Sequence, residues 1–98
     1  AAIFWDLGLY FEMHELLEIE WKAAKDNRRR ALQGLIRAAG MKIHAESNNH
    51  KSAVSMGIKA QEDLLKYGDE LKDFYKLDAI LADIKITLDS SQSTSRDD

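Results

Sequence analysis

At 98 residues the chain is long enough for one domain with a modest core and too short for two. Its 45% hydrophobic and 32% charged residues match a globular protein, and no apolar run approaches the ~18 residues that a membrane span needs. The formal net charge of -3 argues against nucleic acid or an anionic membrane as an obligatory partner, and the absence of cysteine excludes disulfides and thiolate metal sites and suits a reducing, cytoplasmic setting.

Proline is absent and glycine numbers five, so nothing strongly forbids helix and turns fall to Gly, Asn and Asp. No segment alternates apolar and polar residues long enough to read as a strand. A short apolar turn, Ile3 to Leu7, is separated by Gly8 from a first long helix predicted over Leu9 to Ala24. At ~100° per residue, Met13, Leu17, Tyr10, Trp21, His14, Glu18 and Phe11 share one broad face of it. Lys25, Asp26 and Asn27 make the next connection, with Asp26 or Asn27 placed to cap a second helix from Arg28 to Ser47. Leu32, Leu35, Ile36, Ala39 and Ile43 form its apolar stripe, and Gly40 allows a neighbouring backbone to approach.

Asn48 and Asn49 form the following break, one suited to ending a helix in the left-handed conformation and the other to opening the next. A third long helix, His50 to Tyr67, is expected to bury Ala53, Val54, Gly57, Ile58, Gln61, Leu64 and Leu65 in part, and to stop at Gly68. Leu71, Phe74 and Leu77, then Ile80, Leu81, Ile84 and Leu88, read as a short helix and a further one with a boundary near Asp78. From Ser90 the residues are polar and offer nothing to bury. The expected organisation is therefore a single all-α domain over 1–89 and a disordered polar tail over 90–98. Its architecture would be a compact bundle or irregular array of about four to five helices with antiparallel neighbours.

His14 and Glu18 stand one turn apart among Tyr10, Leu17 and Trp21, where unpaired burial would cost kilocalories. Gln33, Arg37 and His44 make a polar stripe beside the apolar one on the second helix. If the two helices pack antiparallel, the two polar sets meet. Three readings then compete. As ligands, His14, Glu18 and His44 offer two imidazoles and a carboxylate, a set suited to a divalent metal such as zinc or iron. As an acid and base pair without metal, His14 would share a proton with Glu18 or Glu12. As a hydrogen-bonded His/Glu/Gln cluster, the residues would fix helix register in a structural or protein-interaction domain. The third is the preferred reading, and a metal-dependent or acid/base enzyme, for instance a hydrolase, is the alternative. A homo-oligomer or a protein partner fits the aromatic-rich short helices. Lys22, Lys25, Arg28, Arg29 and Arg30 bring five cations into nine residues. At the negative end of the first helix such cations suit a solvated terminus, whereas the three arginines face the positive end of the second helix, where an anionic partner, a phosphate group or an acidic protein surface, is the alternative reading.

The stretch Phe4, Gly8, Tyr10-Phe11-Glu12-Met13-His14-Glu15-Leu16-Leu17-Glu18 and Trp21, then Leu32-Gln33-Gly34-Leu35-Ile36, then His44, Asn49 and Ala53, resembles the family known as domain of unknown function 309. The resemblance covers roughly Phe4 to Leu65 and implies a small all-helical protein, without an activity. It places the family's signature on Tyr10, Glu12, His14, Glu15, Glu18, Trp21, Gln33, Gly34, His44 and Asn49; of these Tyr10, Trp21, Gln33 and Asn49, together with Arg37 of the polar stripe, are the candidate binding residues. The chain departs from the family's pattern at Arg37, where a second glutamine is common, at Asn48 and Ser52, which replace glycines, and at Trp5, often Asn.

Overall fold

The computed structural model describes the backbone of residues 2–71 and 77–97 and the side chains of residues 4–71 and 77–89. Among these the chain is all-α: α1 Ala2–Asp6, α2 Tyr10–Ala23, α3 Asp26–Glu46, α4 His50–Tyr67, a 3-10 turn at Gly68–Leu71, and α5 Leu77–Asp97. The helices pack into a compact bundle, as the spacing of apolar residues predicts.

Two of the connections are built by the same backbone device. After α1, Gly8 adopts φ +75 while the Gly8 N–H donates to the Trp5 carbonyl and the Leu9 N–H to the Phe4 carbonyl. After α3, Asn48 adopts φ +62 while its N–H donates to the Ala45 carbonyl and that of Asn49 to the His44 carbonyl. Both are Schellman motifs, in which one left-handed residue lets two orphaned carbonyls of the last turn be satisfied. Asn49 does not add the expected side-chain cap to α4, and α3 likewise opens without one. It begins at Asp26 rather than Arg28, with Asp26 itself at φ +56, so neither Asp26 nor Asn27 serves as the predicted cap.

The core is organised around α3. Ala31, Leu32, Leu35, Ala38, Ala39 and Met41 are all completely buried, a far wider face than the single stripe expected. The reason is topological: α3 receives α2 on one side, α4 on another, and α5 at a third position. Met13 and Leu17 of α2, Ala53, Ala60 and Leu64 of α4, and Ile80 and Ile84 of α5 close around it. Each fully buried leucine or isoleucine contributes about 2 kcal/mol to this assembly.

On α4 the expected core is partly displaced. Ile58 and Leu65 face solvent, because the buried stripe runs through Ala53, Gly57, Ala60 and Leu64 and leaves both about a third of a turn outside it. Phe74 lies outside the described residues. The α5 backbone runs on through the stretch from Ser90 to Asp97, which contains neither proline nor glycine to interrupt it, and the side chains from Ser90 onward lie outside the described residues.

Candidate functional site

The α2–α3 seam holds most of the singled-out residues, in a different arrangement from the one expected. Successive helical residues are ~100° apart, so burying Met13 and Leu17 against α3 turns Glu18 outward and leaves His14 on the shoulder. The His14 Nε2 and Glu18 Oε1 atoms are 3.7 Å apart, with the two side chains 29% and 49% exposed. This corrects the expectation of a buried polar cluster: the pair is wet, and a contact of this kind contributes little to stability. Glu12 is exposed, as is Asn49 at the α3–α4 turn.

Among the described residues, no three of His, Cys, Asp and Glu are grouped so as to hold a metal ion. His14, Glu18 and His44 are therefore not gathered into the three-donor set that their types suggested. His44 stands half-buried in the last turn of α3, where its carbonyl closes the Schellman turn. Arg37 has a structural engagement instead: its Nη1 donates to Asp63 Oδ2 on α4 at 2.7 Å.

Trp21 and Gln33 do come together. They line two adjoining clefts, of about 310 Å³ with Glu18, Lys22 and Ile36, and of about 290 Å³ with Asp26, Arg29 and Arg30. The guanidinium carbon of Arg29 sits 3.9 Å from the centre of the Trp21 ring, a cation–π stack. The Trp21 Nε1 is buried and makes no hydrogen bond among the described residues. A buried N–H in that condition costs about 1–3 kcal/mol, which makes it a specific feature to explain.

A second polar cluster was not legible in the sequence. Asp83 of α5 accepts from Trp5 Nε1 on α1 and from Lys42 Nζ on α3, each at 3.1 Å. Tyr10 packs edge-on against Trp5 with ring centres 5.2 Å apart, and Lys42 Nζ lies 5.5 Å from the Tyr10 ring centre. Burial pushes the Tyr10 phenol above its ordinary pKa; the Lys42 ammonium opposes this, and the Asp83 and Glu46 carboxylates add to it. Tyr10 was a candidate binding residue and here serves as a wall of this junction. Trp5, Lys42 and Asp83 carried no spacing signal, since the bonds join residues 78 and 41 positions apart.

Fold and site together define a small all-helical domain with one cationic, aromatic seam between its first two long helices. The chain belongs to the family described as Domain of unknown function (DUF309), whose model matches residues 1–56, from α1 into the first turns of α4. No curated protein and no solved structure matches it. Among the described residues no helix is long and apolar enough to cross a membrane.

Proposed function

We propose that this chain is a small helical interaction domain that pairs with a second copy of itself through the outer face of α2. The observation that carries the reading is the pattern on that face. Leu16 and Ile19 are 43% and 66% exposed, and with the exposed Ala23 they stand at i, i+3 and i+7 on the side of α2 opposite its contact with α3. Exposed apolar groups scattered singly need no explanation, whereas a stripe at helical spacing suits a partner helix.

The charges beside the stripe favour a second copy as that partner. Glu15 and Lys22 are seven residues apart and therefore share one flank of α2. A two-fold axis perpendicular to the helix sets like flanks side by side with the directions reversed, so Glu15 of each copy meets Lys22 of the other. The surface is self-complementary in charge as well as apolar at its centre. One helix lying on one helix is small beside an obligate interface, so association in the micromolar range is expected. The absence of cysteine supports action in a reducing cytoplasm.

Sedimentation over a wide concentration range tests this. Glu15→Lys and Lys22→Glu should each weaken self-association about tenfold, and the double variant should restore it. A chain that stays monomeric throughout, or a double variant no better than the single ones, refutes the pairing. Zinc or iron would take His14 and Glu18 as two of its donors. Stoichiometric metal in the purified protein, lost on His14→Ala, would replace the interaction reading with a metal-dependent one.

A further inference from the structure

The outer face of α2 carries two features that the pairing of Glu15 with Lys22 does not use, an exposed acid near its start and a cationic cleft at its end. Glu12 stands eleven residues, about three turns, before Ala23, so it continues the line of the apolar stripe toward the amino end of the helix. At the other end, Glu20, Ala23, Ala24, Lys25 and Arg28 line an open cleft of about 480 Å³. It lies where α2 stops at Ala23 and the chain runs extended through Ala24 and Lys25 before α3 begins at Asp26. The cleft sets two cations beside one carboxylate, Glu20, while Asp26 lines the neighbouring cleft with Arg29 and Arg30. Among the described residues neither Glu12 nor Lys25 has an ion-pair partner.

The register of the pairing brings the acid and the cleft together. Glu12 lies three residues before Glu15, and Lys25 three residues after Lys22. A two-fold axis that sets Glu15 of each copy against Lys22 of the other therefore also sets Glu12 against Lys25. We propose that the cleft at the end of α2 is the seat for Glu12 of the paired copy, whose carboxylate is bound by Lys25 with Arg28 beside it. The inference rests on the α2 pairing and gives it a second contact, made by residues outside the Leu16 and Ile19 stripe and outside the Glu15 and Lys22 flank. One net positive charge in the cleft is matched by one carboxylate. Symmetry makes the contact twice, once at each end of the paired helices. The apolar stripe alone would tolerate a slide along the helix, whereas charges at both ends meet in one alignment, so the seat fixes the register.

Reversing the two charges in separate chains tests this. Both positions are exposed, so Glu12→Lys and Lys25→Glu leave the core untouched. In a pair of identical variants both contacts set like charges together; in a pair formed from one chain of each kind, both contacts again join opposite charges. In sedimentation, each variant alone should self-associate about tenfold more weakly than the parent, and an equimolar mixture should recover the parent's association.

Variants that self-associate as tightly as the parent, or a mixture no tighter than its components, would overturn the seat. The exchange at Glu15 and Lys22 is scored in its own experiment. If that exchange rescues association and the mixture of Glu12→Lys with Lys25→Glu does not, the pairing stands and only the seat falls; a parent chain that never leaves the monomer ends both.

Discussion

Tyr10 shows how one side chain reports its surroundings. It lies half-buried where α1, α2, α3 and α5 meet, against Trp5, Lys42 and Asp83, and burial holds its proton more tightly than in the unfolded chain. An acid whose pKa is raised on folding contributes stability that is complete below its unfolded pKa. That contribution is lost as pH rises from there through the folded value. The window is therefore alkaline, opening near the ordinary phenol value of ~10. Denaturant midpoints measured at about pH 8 and about pH 11 should fall further in the parent protein than in Tyr10→Phe, which lacks the ionisable group. Equal falls in the two proteins would mean that the phenol titrates in the native state as it does in water. His14 and Glu18 teach the opposite lesson at the same scale. Their types and spacing were visible, but whether they are dry was not, because the answer depends on how α2 is rolled against α3.

Between elements, the most extensive contact is that of α3 with α4, and glycine permits its tightest point on α3. A Cβ placed on Gly34 would come within 2.9 Å of the Asp63 Cβ and 3.1 Å of Leu64, atoms held close to the backbone of α4. A Cβ on Gly40 would meet only the Met56 Cε at 2.5 Å, the far end of a flexible side chain. The shorter distance is the cheaper clash, since the methionine can swing aside. Alanine also gains about 1 kcal/mol of helix propensity over glycine. Gly34→Ala is therefore expected to destabilise by about 1–3 kcal/mol and Gly40→Ala to be nearly neutral, as read from chemical denaturation. A larger loss at Gly40 than at Gly34 would contradict the assignment. Gly40 was noted in the sequence as a point of close approach; Gly34, the more demanding of the two, was not, because nothing local distinguishes it from any other helical glycine. The helix breaks at Gly8 and Asn48 were legible for a local reason: each needs only one residue that tolerates positive φ.

Across the whole molecule, Asp83 ties the two ends of the fold to its centre, joining α5 to Trp5 on α1 and to Lys42 on α3. Asp83→Ala leaves both donors without an acceptor and should cost about 1–3 kcal/mol. Asp83→Asn keeps an acceptor for Trp5 while removing the charge that holds Lys42, and should cost less. Thermal melts of the three proteins check the order, and a melt unchanged by Asp83→Ala would show that α5 is held by Ile80, Ile84 and Leu88 alone.

What the amino-acid sequence by itself determined is the helical class, the number and order of the long helices, the turn residues between them, and membership of a helical family. These follow from interactions within a few residues of chain, through 3.6-residue periodicity and backbone preference. What only the tertiary structure decided is that α3 is enclosed on three sides, that His14 and Glu18 are wet, and that Arg37 serves Asp63. The same holds for Trp5, Lys42 and Asp83, which assemble a junction from distant parts of the chain. Those depend on how each helix is rotated about its own axis and which neighbour covers it. Both are set by the sum of all the packing contacts, and no local pattern encodes that sum.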